Sequence, residues 1–543
     1  MVIIQGKSVY KGIAIGKISF FKRGKLDVSK INIENPTKEI ERFNIAKEKS
    51  IQQLSDLYEK ALAETGEENA QIFEIHQMML EDDDYNQSIL DMINQERVNS
   101  EYAVNETGKN FAEMFSSMED EYMNARAVDV KDISDRILKN LTGASLDNST
   151  NEKCIICADD LSPSETIQLD KNKVLAFVTS KGSANSHTSI LARTMNIPAI
   201  IGIGDALLNP IYDGKMAIVD GYNGTLYIEP EEPILREMKH KLQSDINERL
   251  ALNGLKGKSN TTIDGTTINV FANIGGVSDL TKVIENDAGG IGLFRSEFLY
   301  LESEDYPSEE KQFQSYKKVL ETMGDKKVVV RTLDIGADKQ IDYFGLDKED
   351  NPAMGYRAIR ICLDRQYIFK TQLRALFRAS VYGNLAIMFP MIISKDEVLE
   401  IKSIIDTVKS ELKAENIPFS DNVEIGIMIE TPAAAIISDI LAPEVDFFSI
   451  GTNDLSQYTL AIDRQNQKLE NFFNPHHEAI LRLIKLTIDN AHKNNIWVGI
   501  CGELGSDTSL TETFLKMGVD ELSVSAPCVL PIRNKIRSLD LSK

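Results

Sequence analysis

The sequence predicts a multidomain α/β protein: a small α/β domain with an inserted helical bundle, followed by a (β/α)₈ barrel. Three observations lead to this fold class. The chain has 543 residues, which exceeds the size at which a single hydrophobic core stops growing. Residues 38–143 contain no proline and space their apolar residues as helices do. After residue 260, strand-like runs alternate with helical segments, as a parallel barrel requires.

Composition and charge exclude several classes of protein. With 42% apolar and 26% charged residues, the chain is typical of globular proteins. Its formal net charge of −23, from 83 acidic and 60 basic side chains, would repel a polyanion and argues against a nucleic-acid partner. No apolar run reaches the roughly 18 residues that a membrane-spanning helix needs, and the first residues lack the features of a signal peptide. We expect a cytoplasmic protein without membrane insertion.

Cysteine usage agrees with a reducing compartment. The five cysteines form an odd, scattered set: Cys154, Cys157, Cys362, Cys501 and Cys528. Cys154 and Cys157 form a C-x-x-C pair, which could serve a metal or redox function. The pair lies in KCIICADDL, a stretch typical of a buried strand, and the sequence has no second pair of this kind. Packing is therefore the favoured role for this pair.

The first predicted domain is a small α/β unit that is interrupted by helices. Residues 1–21 show short extended patterns, and residues 145–230 alternate strands and glycine turns around one helix at 188–195. Between them lies the predicted helical bundle, residues 35–143, in whose first helix apolar residues recur every three or four positions. These residues are Ile40, Phe43, Ile51, Leu54, Tyr58 and Ala61. We predict that 1–21 and 145–230 form one domain and that the bundle is an insertion.

A linker helix and a flexible joint are predicted at residues 233–258. Apolar residues keep helical spacing through the first part of this range: Leu235, Met238, Leu242, Ile246 and Leu250. The stretch NGLKGKSN that follows is polar and contains glycine, which is typical of a joint.

Residues 260–543 are predicted to form the (β/α)₈ barrel, the TIM-barrel architecture. Eight strand-like runs occur there: TTINVFANI, GGIGLFR, KVVVRTLDIG, LAIMFPMI, VEIGIMIE, VDFFSIGTND, WVGICGE and ELSVSA. In such barrels the chemistry lies at the carboxyl ends of the strands. The residues at these ends are Asn273, Arg295, Arg331, Glu430, Asn453, Asp454, Cys501 and Glu503.

These strand-end residues predict a site for a small, doubly anionic substrate. The guanidinium groups of Arg295 and Arg331 present forked donors that match phosphate or carboxylate oxygens. Glu430 and Asp454 could hold Mg²⁺, with Mn²⁺ as an alternative. A buried Cys501 thiol could donate a proton to a carbon centre, with support from Glu503. Taken alone, such an arginine is more often part of a surface ion pair and such a cysteine more often a packing residue, so the prediction depends on their joint occurrence.

A second candidate site is His187, in the stretch GSANSHTSILARTM. It follows small polar residues and directly precedes a predicted helix. Unpaired N–H groups and the dipole at a helix start favour an anion, so a phosphohistidine would be stabilised there. From local sequence alone, a helix-capping or surface role for His187 is an equal alternative.

Several long motifs resemble the enzyme I family of the phosphoenolpyruvate:sugar phosphotransferase system. They are GLFRSEFLY, RTLDIGADK, NPAMGYRAIR, GTNDLSQYTLAIDR and CGELGSD in the barrel, and ENAQIFEIHQMMLEDDD with DEYMNARAVDVKDI in the helical bundle. The resemblance implies a swivelling phosphohistidine domain, a helical domain that binds the phosphocarrier HPr, and a barrel that binds phosphoenolpyruvate and mediates a homodimer. It also implies that His187 takes a phosphoryl group from phosphoenolpyruvate, releasing pyruvate, and passes it to a histidine of HPr as the first step of sugar uptake.

The resemblance also assigns roles to individual residues. The implied substrate-binding residues are Arg295, Arg331, Asn453, Asp454 and Arg464. Glu430 and Asp454 would bind Mg²⁺, Cys501 would protonate the enolate, and Thr166 would orient His187. The implied carrier-docking residues are Glu67, Glu68, His76, Met79, Asp82, Asp83 and Arg126. For the acidic residues among these, the alternative is that they are simply solvated helix ends.

One local difference and two other functions are also considered. Many family members have GGRTSH where this chain has Ser183, Ala184 and Asn185 before Ser186 and His187, so the basic residue is missing. A pyruvate–phosphate dikinase or phosphoenolpyruvate synthase would need a large nucleotide-binding domain, and the sequence has no P-loop. A binding protein that senses phosphoenolpyruvate without turnover would have no need of the complete set of site residues.

Overall fold

A computed structural model of the chain describes residues 1–21, 26–65, 67–117, 121–143, 152–170, 172–182, 187–195, 197–301, 303–339, 341–464, 466–469 and 472–542. The chain forms two compact units, Met1–Arg249 and Leu250–Lys543. Among the described helices, none is both long and apolar enough to cross a membrane.

The first unit contains an eight-stranded sheet with the order β1-β8-β7-β3-β4-β5-β6-β2. The strands are β1 (Val2–Gln5), β2 (Lys7–Tyr10), β3 (Ile13–Phe20), β4 (Cys154–Ala158), β5 (Val174–Thr179), β6 (Ala199–Ile201), β7 (Met216–Asp220) and β8 (Thr225–Ile228). The strands β3 to β6 pair in parallel, and the other pairs are antiparallel. The first twenty residues therefore contribute three strands to a sheet that is otherwise built from residues after 153.

Between β3 and β4 the described residues form five helices. They are α1 (Pro36–Thr65), α2 (Glu67–Glu81), α3 (Asp83–Glu96), α4 (Ser100–Ser116) and α5 (Glu121–Thr142). Phe43, Leu54 and Ala61 of α1 have no exposed surface and pack in one core with Ile89 and Ile137. The three- and four-residue spacing of apolar residues places these side chains on one face of the helix, which is why this face is buried.

The described residues after β4 also form α6 (Pro163–Gln168), α7 (His187–Met195) and α8 (Glu232–Asn253), and the last turn of α8 belongs to the second unit. Ser162 begins α6 with a capping box, in which its hydroxyl accepts from the N–H of Glu165 and the Glu165 carboxylate accepts from the N–H of Ser162. In β4, Cys154 and Cys157 pack into separate clusters on opposite faces of the sheet. Because side chains three apart on a strand point to opposite faces, the two thiols cannot converge on one metal ion.

The second unit is a closed barrel of eight parallel strands. They are β9 (Asn269–Ile274), β10 (Ile291–Arg295), β11 (Lys327–Arg331), β12 (Asn384–Phe389), β13 (Glu424–Ile429), β14 (Phe447–Ile450), β15 (Trp497–Ile500) and β16 (Glu521–Ser525). All eight predicted runs are strands, and β16 pairs with β9 to close the ring. The predicted (β/α)₈ architecture is confirmed.

Helices surround these strands. They are α9 (Leu280–Glu285), α10 (Phe298–Leu301), α11 (Glu309–Met323), α12 (Ile359–Asp364), α13 (Gln366–Ala379), α14 (Lys395–Ala414), α15 (Pro432–Ile436), α16 (Ser438–Leu441), α17 (Thr452–Leu460), α18 (Glu478–Lys493), α19 (Thr511–Met517) and α20 (Val529–Ser538). In α18, Ile480, Ile484 and Ile488 recur every fourth residue and are fully buried, so one apolar stripe packs against the sheet.

The barrel interior is a separate, smaller core. Its members are Leu293, Val329, Ala386, Met388, Met428, Phe447 and Cys501, with Trp497 packed against them. The rings of Phe447 and Trp497 stack with their centroids 4.4 Å apart. Alternate strand residues point inward, so the residues that follow this core toward the carboxyl ends of the strands face the barrel mouth.

Candidate active site

The carboxyl ends of five barrel strands bring the predicted site residues to the same end of the barrel. Arg295 and Arg331 are the last residues of β10 and β11, and Glu430 and Cys501 directly follow β13 and β15. Asp454 lies in the first turn of α17, which begins two residues after β14. Closure of a parallel barrel places all these strand ends on one rim.

The most strongly charged feature of this rim is a buried network that we call the arginine cluster: Arg331, Arg357, Glu297 and Asp334. Arg331 Nη1 lies 2.8 Å from Asp334 Oδ2, and Arg357 Nη2 lies 2.7 Å from Asp334 Oδ1. Arg331 Nη2 also pairs with the Glu297 carboxylate. Burial opposes ionisation of Asp334, but the two guanidinium groups outweigh it and lower its pKa to about 2.

Some polar atoms of the arginine cluster are not used in its internal contacts. Within the described part of the chain, Arg331 Nε, Arg357 Nε and Glu297 Oε2 are buried and make no hydrogen bond. Buried polar groups normally have partners, and both Nε atoms are charged donors. The cluster can therefore bind an anion without first giving up its internal ion pairs.

Glu430 supplies a carboxylate beside this cluster. It is 1% exposed, and its Oε1 accepts a 2.6 Å hydrogen bond from the N–H of Met391. Burial, together with repulsion from Asp454 and Asp334, raises its pKa to about 8. A divalent cation between Glu430 and Asp454 would relieve this repulsion. Their oxygens are the donors that Mg²⁺ prefers, so the residues present fit such an ion.

Asn453, Arg464 and Glu503 form a neighbouring group. The N–H of Glu503 donates to Asn453 Oδ1 at 3.0 Å, and Asn453 Nδ2 donates to Glu503 Oε1 at 3.3 Å. Arg464 lies within 3.8 Å of Asp454 and 3.9 Å of Glu503. Glu503 was predicted to support Cys501, but its carboxylate contacts these two residues instead and its side chain is 84% exposed.

Cys501 is held in the state that a proton donor needs. Its side chain is 3% exposed, and its N–H donates to the carbonyl of Ile450 at 3.1 Å. Burial raises the pKa of the thiol to about 12. The thiol is therefore protonated at neutral pH and suits an acid rather than a nucleophile.

His187 is the first residue of α7, so the helix begins one residue earlier than predicted. The His187 side chain and residues 183–186 lie outside what the structure describes. Thr166 lies on α6 and is buried, with its hydroxyl donating to the carbonyl of Pro163 at 2.7 Å. The predicted roles of His187 and Thr166 stay predictions.

The predicted docking residues divide into exposed and buried ones. Asp82 and Asp83 are exposed at the start of α3, where Asp82 Oδ1 accepts from the N–H of Tyr85 at 2.8 Å. Met79 is half-buried, and the side chains of Glu67 and Glu68 lie outside the described residues.

The structure corrects the docking prediction for His76. This residue has no exposed surface and lies 3.2 Å from Asp129 and 3.7 Å from Asp132. It cannot contact a carrier directly, because helical periodicity turns it into the bundle core. Arg126 is half-buried and pairs with Asp129 at 3.2 Å.

Glu297, Asp334 and Arg357 were given no role from the sequence. Glu297 and Asp334 follow the ends of β10 and β11 by two and three residues, within two of the motifs that carried the resemblance. Arg357 lies in a third such motif, far from any strand end. A search extended beyond the last strand residue would have found the first two, whereas only the folded chain brings Arg357 to Asp334.

The fold and this site define an enzyme that acts on a small anionic substrate at the mouth of a parallel barrel. Comparison with known proteins specifies the class. The chain matches the sequence profiles of three domains, which are described as "PEP-utilising enzyme, N-terminal" at residues 5–126, "PEP-utilising enzyme, mobile domain" at 150–224 and "PEP-utilising enzyme, PEP-binding domain" at 251–541.

Full-length relatives narrow the class further. The chain is 44% identical to the phosphoenolpyruvate-protein phosphotransferase of Priestia megaterium, over 99% of this chain and 94% of that protein. Identity is also 44% to the protein of the same name from Haemophilus influenzae and 43% to that from Bacillus subtilis, with the same coverage. The chain belongs to the phosphoenolpyruvate-protein phosphotransferase family, which confirms the resemblance to enzyme I and favours it over a dikinase.

Proposed function

We propose that this protein transfers the phosphoryl group of phosphoenolpyruvate to its own His187, releases pyruvate, and then passes the group to the histidine of the phosphocarrier HPr. The observation that carries the proposal is the juxtaposition of the arginine cluster, the Glu430 carboxylate and the protonated Cys501 thiol on one barrel rim. Together they meet the needs of a substrate that carries a phosphate, a carboxylate and a carbon atom awaiting a proton.

The arginines of the barrel rim and Asn453 are proposed to bind the substrate. Arg331 and Arg357 offer buried Nε donors, and a charge-assisted hydrogen bond to phosphate or carboxylate is about twice as strong as a neutral one. Arg295 and Arg464 add two further guanidinium groups at this rim, and the Asn453 amide can turn from Glu503 to a phosphate oxygen. Because the cluster is already ordered by Asp334 and Glu297, little entropy is lost when the substrate binds.

Glu430 and Asp454 are proposed to hold Mg²⁺, for which Mn²⁺ can substitute. Within the described residues, no group of three or more His, Cys, Asp and Glu residues is arranged around a metal position, so two protein carboxylates would leave the other ligand positions to substrate and water. When bound, the cation supplies positive charge for the oxygens of the transferring phosphoryl group and of the enolate.

Cys501 is proposed to complete the reaction. Cleavage of the bond between phosphorus and the enol oxygen leaves the enolate of pyruvate, while a bond forms between phosphorus and a ring nitrogen of His187. The enolate carbon then takes the proton of Cys501 Sγ and becomes the methyl group of pyruvate. A thiol of pKa about 12 keeps its proton until a strongly basic carbon is presented.

The remaining parts of the proposal concern movement and partners. His187 and the barrel belong to different compact units, and the proposal, following the family resemblance, is that the α/β domain swivels between the barrel and the carrier, with Thr166 orienting the histidine. HPr would dock on the helical bundle, where Asp82 and Asp83 are exposed and would attract a basic surface. His76 would act there only as an internal support. A homodimer through the barrel is carried over from the family.

Labelling with ³²P-phosphoenolpyruvate and Mg²⁺ tests the proposal. We expect acid-labile, base-stable label on the wild-type protein and on a matched control, His240→Ala, which replaces an exposed histidine of α8. His187→Ala should carry no label. Equal label on His187→Ala, or none on the wild type, would contradict the assignment of His187. Addition of HPr should then remove the label from the wild type.

A further inference from the structure

A second acidic residue lies inside the barrel, below Cys501, and the proposed mechanism does not use it. Glu521 is the first residue of β16 and is 1% exposed. Neither of its carboxyl oxygens makes a hydrogen bond that meets normal geometry within the described part of the chain. A buried carboxyl group without such bonds is costly, so its presence calls for an explanation.

The strand register places Glu521 directly beneath Cys501. Gly499 on β15 pairs with Ser449 of β14 on one side and with Glu521 of β16 on the other. Cys501 follows Gly499 by two residues, so its side chain points to the same interior face, about 7 Å nearer the barrel mouth. The interior layer below the thiol therefore includes Ser449, the empty face of Gly499, and Glu521, with Met428 of β13 next to Ser449.

Two glycines leave room for the Glu521 carboxyl group. A Cβ on Gly499 would overlap with its Oε2, and a Cβ on Gly292 would overlap with its Oε1. Gly292 faces inward because β10 has a register irregularity between Ile291 and Leu293. Ser449 Oγ is also buried and lacks a hydrogen bond of normal geometry to any described residue. Three polar atoms without such bonds thus line the interior below Cys501.

Hydrogen bonding above Glu521 favours its protonated form. Asn273 Nδ2 donates to the carbonyls of Cys501 and Ser523, at 3.0 and 3.2 Å. Its Oδ1 must therefore be the acceptor for Ser523 Oγ, at 2.6 Å. The Ser523 hydroxyl proton is donated to Asn273, so this hydroxyl presents only a lone pair to the neighbouring Glu521 carboxyl, which favours the protonated carboxyl over the carboxylate.

The charges around Glu521 agree with this assignment. Burial is the main cause that raises its pKa to about 8, and Asp520 adds to the effect, whereas Lys327 and the neighbouring Ser523 hydroxyl oppose it. Lys327 Nζ pairs with the Glu424 carboxylate at 2.7 Å, which weakens the effect of Lys327 on the pKa of Glu521. Burial also raises the pKa of the Cys501 thiol, to about 12, so a thiolate at Cys501 is the stronger base of the two groups and can draw a proton from Glu521.

We propose that Glu521 stores the proton that restores the Cys501 thiol after each turnover, and that the Ser449 hydroxyl passes it on. The inference rests on the proposed role of Cys501 as the acid. When Cys501 Sγ has given its proton to the enolate carbon, the thiolate takes the proton of Ser449 Oγ, which takes one from Glu521. The Glu521 carboxylate regains a proton from solvent at the amino end of the barrel, where the Lys327 side chain is 21% exposed.

A comparison of the first turnover with later turnovers distinguishes a proton-storing role of Glu521 from a structural role. The first needs only the proton already on Cys501, so Glu521→Gln should release the first pyruvate within about twofold of the wild-type rate in a rapid-mix experiment without carrier. Later turnovers need Glu521, so exchange of deuterium from the methyl group of pyruvate into H₂O should fall at least tenfold. This exchange also needs no carrier.

Ser449→Ala should also keep the first turnover and lose the deuterium exchange. The control is Asp446→Asn, which removes an exposed carboxylate at the amino end of β14 and should match the wild type in both measurements.

Each other outcome has a definite meaning. Unchanged exchange in both Glu521→Gln and Ser449→Ala would overturn the proposal, because the thiolate would then be reprotonated from the barrel mouth. An equal loss of first and later turnovers would also overturn it, since that result indicates a structural role. The wild-type exchange rate should fall above about pH 8 as Glu521 loses its proton, and Glu521→Gln should lack this step. If Cys501→Ala still forms the first pyruvate normally, the assignment of the acid fails instead.

Discussion

Asp334→Asn should destabilise the barrel unit, because this carboxylate holds two buried guanidinium groups together. The pKa of Asp334 is lowered from 3.8 to about 2, which corresponds to about 2–3 kcal/mol in favour of the ionised form. Breaking a buried ion pair by removing one partner costs about 3–5 kcal/mol. We therefore expect a loss of about 3 kcal/mol in the free energy of unfolding.

The chain offers its own probe for this measurement. Trp497 is the only tryptophan in the sequence, and it stacks on Phe447 inside the barrel. Its fluorescence in a urea titration therefore follows the barrel unit alone. The matched control is Glu309→Gln, which removes a carboxylate that also bridges two arginines, Arg374 and Arg378 at 2.7 and 2.6 Å. These side chains are more exposed, so the control should lose no more than about 1 kcal/mol.

The pH dependence gives a second check with a defined sign. Asp334 has a lowered pKa in the folded protein, so its contribution is complete above the unfolded value near pH 4. It is lost as the pH falls toward 2. The difference between wild type and Asp334→Asn should therefore be constant above about pH 4 and shrink below it. Equal urea midpoints for wild type, Asp334→Asn and Glu309→Gln at pH 7 would refute the reasoning.

Two further predictions concern the ligands. Arg357→Met removes a buried Nε donor. Loss of a charge-assisted hydrogen bond of about 2 kcal/mol corresponds to roughly thirtyfold weaker phosphoenolpyruvate binding. Calorimetry measures the Kd, and an unchanged Kd would exclude Arg357 from the binding site. Removal of divalent cations by a chelator should abolish labelling of His187, and Mg²⁺ or Mn²⁺ should restore it in the wild type but not in Glu430→Gln. Labelling that survives the chelator would contradict the metal proposal.

The helical bundle and the barrel illustrate what could be predicted. Apolar spacing in residues 35–143 predicted the core residues Phe43, Leu54 and Ala61, and all three are fully buried. The eight strand runs were recognisable because a parallel barrel strand is short, apolar and bounded by polar turns. The rule that chemistry follows strand ends then pointed to Arg331, which the structure places in the charged network on the barrel rim.

Two predictions were wrong because the direction of the side chain depends on the tertiary structure. His76 was expected on the docking surface, yet its position on α2 directs it to Asp129 and Asp132. Glu503 was expected beside Cys501, yet the turn that it begins directs its carboxylate to Asn453. The local sequence does not show which face of a helix or turn is buried, because the residues that pack on that face lie far away in the chain.

The sequence by itself determined the order of elements, the barrel and which polar residues lie at its strand ends, because periodicity and strand-end position are local properties. Only the tertiary structure decided which of these residues meet. Arg357 reaches Asp334 from the far end of the same connection between β11 and α12, and Glu521 reaches the space below Cys501 through the register of β14, β15 and β16. The first contact depends on how that connection folds back on itself, where the N–H of Ala358 donates to the carbonyl of Ile335 at 2.9 Å. The second depends on strand pairing, which joins segments far apart in the chain and fixes their register.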